Sequence, residues 1–323
     1  MAGDPYMILL NPDGSLLYVT QPGAGRVTAL ATKTGQVICD TTFSGHPALL
    51  ALSVDGTELY VAGLNEMVIS VLNAQTCALE RSFDAPEPVS WLVATGSNGP
   101  VNDTLHTQLW VAGNASVSIL DEQGHLQDTI VVPGGPRFLS LPGGLTAYVA
   151  TRQGSVLAID MLARRIIAPL ISGGAFGSMD YNAITGEIYV PDQRRDQVDV
   201  LTPVLGGSGV MPREPAQVIH VHGSPQAVAI TNDGQLGFVA LSGGQVEMLD
   251  IPGRSIARTI SVGGTPRFII TGAYPPAIVP TPHLSSPSSP NTILLGLSVV
   301  LLIALLCGAF WLFWRHRKTR FFL

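Results

Sequence analysis

Two arginines stand in the same local setting. Arg137 follows Gly134-Gly-Pro136 and Arg267 follows Gly264-Thr-Pro266. Gly-x-Pro also precedes Tyr6 (Gly3-Asp-Pro5) and Gln226 (Gly223-Ser-Pro225), and His46 lies inside a further copy, Gly45-His-Pro47. A guanidinium presents a rigid fork of donors, so Arg137 and Arg267 together could hold a carboxylate or phosphate by bidentate hydrogen bonds. Tyr6, His46, Arg137, Gln226 and Arg267 thus form one candidate ligand-binding set. The competing reading pairs these arginines with nearby carboxylates or leaves them in water.

Other reactive side chains point to structure more than to chemistry. His220 and His222 alternate at strand spacing and could share a metal, but no third ligand is evident. Asp192, Asp196 and Asp199, with Arg194 and Arg195, read as a solvated loop, because an oxygen-ligand cation site wants a denser, glycine-containing spacing. Asp121, Asp160 and Asp250 recur at one repeat position, which suits a turn. Asn102-Asp-Thr104 and Asn114-Ala-Ser116 fit the glycosylation sequon and matter only in a host with that machinery. No nucleophile elbow, phosphate loop or Ser/His/Asp arrangement can be argued from spacing, so no catalytic residue, metal or cofactor is assigned. Cys39 and Cys77 fall in successive repeats, and Cys77 aligns with Gly35 rather than with Cys39. A disulfide between them is one reading. Two free thiols is the reading spacing favours, since two cysteines rarely meet the required separation by chance.

The elements that position these residues are short strands in a long repeat. Asn11-Pro-Asp-Gly-Ser-Leu-Leu-Tyr-Val-Thr20, Ser53-Val-Asp-Gly-Thr-Glu-Leu-Tyr-Val-Ala62 and Thr231-Asn-Asp-Gly-Gln-Leu-Gly-Phe-Val-Ala240 are copies of one phrase. Aligned on the aromatic–Val pair, six copies centre on Tyr18, Tyr60, Trp110, Tyr148, Tyr189 and Phe238. The two longest intervals carry insertions at Gly96–Thr107 and Pro203–Pro215. A second strand follows each aromatic strand, as at Val27–Leu30 and Val68–Leu72, and a third runs to Gly-x-Pro, as at Ile256–Val262. The stretches after Gly-x-Pro, such as Ala48–Ser53 and Gln226–Thr231, are predicted as innermost strands of the next unit. A repeat of about forty residues built only of strands predicts an all-β β-propeller. The expected fold has six complete four-stranded repeats plus a lone inner strand, Arg267–Thr271. A seven-bladed design whose remaining outer strands sit before Met1 accounts for that surplus.

Tyr18-Val19-Thr20, Tyr60-Val61-Ala62 and Tyr148-Val149-Ala150 resemble the signature strand of the YVTN family of β-propeller repeats, and the pattern over residues 3–271 is similar to seven-bladed lactonase-like propellers. The Asn that usually follows the signature is absent from these copies, and so is the Trp–Asp dipeptide of WD40 repeats. The resemblance implies a scaffold with its site at the central channel or over the loops of one face.

Composition divides the chain into a propeller (1–272), a Pro/Ser-rich stalk (273–290), a transmembrane helix (291–314) and a basic cytoplasmic tail (315–323). The stalk holds six Pro and four Ser, which favours an extended spacer. Within the span, 292–314 is apolar apart from Thr292 and Ser298, and it is long enough to cross a bilayer. Trp311, Trp314, Arg315, Arg317 and Lys318 suit the membrane interface, and the positive-inside rule places the tail in the cytoplasm and the propeller outside. Such a topology needs an export signal, which Met1–Leu10 does not provide. The net charge of −6, with four basic residues in the tail alone, argues against nucleic acid as a partner. The sequence reads as a membrane-anchored, cell-surface binding or structural module whose partner is a protein, glycan or small molecule. The alternatives are an exported lactonase-like hydrolase with a channel-mouth site and a cytosolic tail-anchored adaptor.

Overall fold

The computed structural model describes residues 4–98, 105–142, 144–204 and 214–272. Asp–Gly turns set the hairpins. Asp13, Asp55 and Asp233 each accept the backbone N–H two residues on, and Gly14, Gly56 and Gly234 take positive φ (68°, 73° and 65°). The strands between such turns pair antiparallel with their sequence neighbours, giving six sheets of four strands.

Blade 1 holds β1 (Ile8–Leu10), β2 (Leu16–Gln21), β3 (Arg26–Ala31) and β4 (Val37–Thr42). Blade 2 holds β5 (Pro47–Leu52), β6 (Glu58–Gly63), β7 (Val68–Asn73) and β8 (Leu79–Asp84). Blade 3 holds β9 (Trp91–Asn98), β10 (Leu105–Ala112), β11 (Ser116–Asp121) and β12 (Leu126–Val131). Blade 4 holds β13 (Pro136–Ser140), β14 (Thr146–Thr151), β15 (Ser155–Asp160) and β16 (Arg165–Ser172). Blade 5 holds β17 (Asp180–Tyr181), β18 (Ile188–Asp192), β19 (Gln197–Leu201) and β20 (Gln217–His220). Blade 6 holds β21 (Pro225–Ile230), β22 (Leu236–Leu241), β23 (Gln245–Asp250) and β24 (Ser255–Ser261). The insertion read at Gly96–Thr107 proves in part to be a longer β9–β10 hairpin, with register running out to Leu105↔Asn98. Most of the other insertion, and the stalk, span and tail, lie outside the described residues. Among the described residues no helix is long and apolar enough to cross a membrane.

Period-two alternation gives every blade two apolar faces, and at the joints between consecutive blades, from 1 to 6, facing surfaces pack on each other. One face carries the aromatic of the signature strand with two small or branched residues beside it, as in Tyr60, Ile69 and Val71. The other carries Leu/Val rows such as Leu59, Val61 and Leu72. Polar atoms stitch the joints. Tyr18 donates to the Ala74 carbonyl (2.8 Å), Thr20 to the Ala48 carbonyl (2.9 Å), and the Val204 N–H to the Tyr148 hydroxyl (2.9 Å).

The pattern stops after blade 6. Val27, Ile69, Val117, Val156 and Val198 are fully buried, but the equivalent Val246 is partly exposed, as are Phe238 and Met248 beside it. Ile260 is 39% exposed where Ile130, Ile171 and Ile219 are 4%, 7% and 3%. Blade 1 shows the matching defect on its opposite face, where Ile8 and Leu17 are only partly buried while Leu50 and Leu59 of blade 2 are covered. Among the described residues no hydrogen bond and no apolar cluster joins blade 6 to blade 1.

The lone inner strand expected at Arg267–Thr271 is not a strand. The segment still occupies an inner-strand place. Thr271 donates to the Ile230 carbonyl of β21 (2.7 Å), and Gly272 lies against Leu10 of β1. An inner strand pairs only with the next strand of its own blade, and the described residues supply none here.

Candidate functional site at the channel mouth

Gly-x-Pro does more than turn the chain. In β5, β13 and β21 the register slips right after the proline, so that Ala48, Arg137 and Gln226 are left opposite no partner. A bulge of this kind re-aims one side chain out of the ladder. Proline suits it, having no N–H to lose.

Three of the five expected residues, Tyr6, Arg137 and Arg267, lie near enough for the charges of the two arginines to act on the phenol. Burial raises the pKa of Tyr6, and the nearby charges of Arg267 and Arg137 pull it back. Burial lowers that of Arg137, the Tyr6 phenol opposes this, and the charge of Arg152 adds to it. The Arg137 guanidinium lies 4.9 Å from the centre of the Phe138 ring. Among the described residues neither Arg137 nor Arg267 is within ion-pair distance of a carboxylate. Arg137 and Arg267 are thus two solvent-accessible cations near one phenol.

The other two residues turn elsewhere. The His46 backbone N–H donates to Glu66 (3.1 Å), with the imidazole 3.5 Å from the same carboxylate. Gln226 donates to Ser224 and accepts from Gln193 (3.2 Å). Both are held by local partners between blades. His220 ends β20, and His222 beyond it is tied to the buried carboxylate of Glu247 (2.7 Å). Among the described residues no group of three His, Cys, Asp or Glu side chains is placed to hold a metal. Asp121, Asp160 and Asp250 each accept backbone N–H groups of the turn that follows. Asn114 sits exposed in a turn, and Asn102 is outside the described residues.

Behind the mouth runs the central channel, with a cavity of about 440 Å³. Inner-strand residues of all six blades line it, together with Phe268–Thr271. Among its described lining residues the one carboxylate is Asp180, which the sequence reading passed over. Asp180 accepts the Ile230 N–H (2.7 Å) across the blade 5–6 joint. The signal lay in the repeat alignment. Asp180 pairs with Tyr189 where Leu9, Ala51, Val93, Ser140 and Ala229 pair with the other aromatics.

Burial pushes Asp180 up to about 6, against the backbone N–H groups of Ile230 and Tyr181, which favour the charged form. A folded-state pKa above the unfolded value means that the native state binds the extra proton. This stabilising contribution is complete below about pH 4 and is lost as pH rises through 6, amounting to no more than about 3 kcal/mol. Asp180→Asn is therefore expected to flatten the fall in stability between pH 4 and 7. Denaturant melts of both proteins across that range check it, and equal slopes would refute the assignment.

No protein-family model matches the chain, and no curated protein matches it. Solved structures do. Hydrazine synthase of Kuenenia stuttgartiensis is similar with a TM-score of 0.69 and 18% identity, over 83% of this chain and 89% of that one. The Cps50 (Swd1) β-propeller domain of Myceliophteria thermophila gives 0.65 and 16%, over 84% and 89%. At such identity the likeness concerns the fold alone. On these grounds and on its six sheets, the chain is a six-bladed β-propeller.

Proposed function

We propose that this propeller is a binding module of YVTN type, held outside a membrane by residues 292–314, that takes the carboxylate or phosphate group of its ligand at the channel mouth. The observation that carries the reading is that Arg137 and Arg267, both solvent-accessible and near Tyr6, have no carboxylate within ion-pair distance among the described residues. The partner is then a protein, glycan or small molecule bearing an anionic group. Two further features support the outward placement. The Cys39–Cys77 disulfide suits an oxidising compartment, and the basic residues Arg315, Arg317 and Lys318 follow the apolar run.

Inorganic phosphate and acetate, titrated into the full-length chain in detergent, test the site. Phosphate or acetate should raise the melting midpoint of the native protein. Arg137→Gln or Arg267→Gln should weaken the response about tenfold or more, as expected for one charge-assisted hydrogen-bonding partner. An unchanged response in both variants would sink the proposal. Sidedness has its own test. Protease applied to intact cells should remove the propeller and leave a small C-terminally tagged remnant. Full-length survival until lysis would favour a cytosolic adaptor.

A further inference from the structure

The channel cavity of about 440 Å³ is a separate place from the mouth. Met7, Trp91 and Phe268 line it from the Gly-x-Pro end of their inner segments, and Leu10, Leu52 and Asn232 from the opposite end, by the turns into the second strands. None of the mouth residues Tyr6, Arg137, Gln226 and Arg267 lines it. The walls are mostly apolar, and the size falls within the range of roughly 300–1,000 Å³ that receives small molecules.

One charge stands in these walls. Asp180 keeps part of its surface accessible, and no lysine or arginine lines the cavity among the described residues. Among the described residues no lysine, arginine or histidine lies within ion-pair distance of its carboxylate. The fold holds the group in place through β21. Ser178 bridges Ala227 in parallel, and the Val228 N–H donates to the Ser178 carbonyl (3.2 Å). Two residues on, the Ile230 N–H donates to the Asp180 side chain (2.7 Å), while the Ile230 carbonyl accepts from Thr271. The Tyr181 N–H is the second donor to Asp180. A carboxylate accepts about four hydrogen bonds, so two donors leave it capacity for more. Burial opposes its charge, yet with a pKa of about 6 it is mostly ionised at pH 7.5. A charge in such surroundings without a counter-ion is costly, and an arriving cation removes part of that cost.

We propose that the cavity is a binding site for a small organic amine, whose ammonium group pairs with Asp180 and whose apolar body lies among the inner-strand side chains. Ser140 and Asn232 also line the cavity and carry acceptors for the remaining N–H groups. The site shares no residue with the mouth and takes the opposite charge.

Benzylamine and benzyl alcohol are the probes, one ring with a charged group at pH 7.5 and the same ring with a neutral one. They are titrated into the full-length chain in detergent and followed by calorimetry, with protein-free detergent as the blank. Benzylamine should bind saturably and at least about tenfold tighter than benzyl alcohol, as expected for one charge-assisted partner. Asp180→Asn keeps an oxygen for the Ile230 N–H. It should weaken benzylamine about tenfold or more and leave benzyl alcohol unchanged, with a melt of the variant showing that it is folded. Equal affinities of the native chain for the two probes overturn the proposal without any variant. So does an absence of saturable binding by either probe, or benzylamine binding that Asp180→Asn leaves unchanged. Phosphate and acetate report on the mouth and benzylamine on the cavity, so either reading can fail alone.

Discussion

Replacing Cys39 and Cys77 together by Ser is expected to cost about 4 kcal/mol of stability. Cys39 lies on β4 of blade 1 and Cys77 in the β7–β8 turn of blade 2, with Cα atoms 5.7 Å apart and a disulfide between them. The bond closes a loop with a sequence separation of 38 residues. Chain-entropy reasoning assigns a loop of that length roughly 4 kcal/mol, by narrowing the unfolded ensemble. The location adds to its consequence. On its other face blade 1 leaves Ile8 and Leu17 partly exposed, while its apolar packing runs to blade 2. Thr41 donates to the Cys77 carbonyl beside the bond and would remain in the variant. The melting midpoint should fall by about 10 °C, and reductant should lower the native protein alone to the same value. A native midpoint indifferent to reductant, matching the variant within a degree, would falsify the staple and remove its support for an oxidising compartment.

The disulfide also shows where the sequence stops speaking. Aligning repeats places Cys77 with Gly35, a within-blade equivalence. Contact between blades follows a different rule. Side chains of one blade reach the β7–β8 turn of the next, Tyr18 of β2 to the Ala74 carbonyl and Cys39 of β4 to Cys77. Repeat alignment is blind to that offset. The strands themselves were legible, because β-branched alternation and Asp–Gly turns are local devices. The third strand, for example, was read at Ile256–Val262 and is found at Ser255–Ser261.

The placement of the candidate residues was half legible for the same reason. Gly-x-Pro marks the bulge that frees Arg137, and that is local information. Which freed side chains then meet is decided by partners far away in sequence. Glu66 lies twenty residues from His46 and takes it out of the set, while Gln226 turns to Gln193 and Ser224. Arg137, Arg267 and Tyr6 have no such neighbour to capture them. Asp180 was missed because one carboxylate among uncharged equivalents stands out only when all the repeats are laid together.

Trp91→Ala is expected to cost about 3–5 kcal/mol, the usual range for emptying a buried indole site. Trp91 opens β9, is 7% exposed, and is the aromatic on which Phe138 and Phe268 meet. Phe138 approaches it edge-on, with centroids 5.0 Å apart and planes at 81°. Phe268 approaches at 5.8 Å and 49°. Both phenylalanines follow a Gly-x-Pro-Arg, so each arginine of the mouth is backed by a ring seated on the same indole. The mutation should therefore do two things. It should lower the melting midpoint by about 10 °C, and it should weaken phosphate or acetate binding below the melt, because Arg137 and Arg267 lose a shared support. Trp91→Phe, which keeps an aromatic face in the channel, should recover part of both. Calorimetric melts and anion titrations on the same two variants separate the effects. A stability loss with unchanged anion affinity would leave Trp91 a packing residue only, with Arg137 held by its bulge alone.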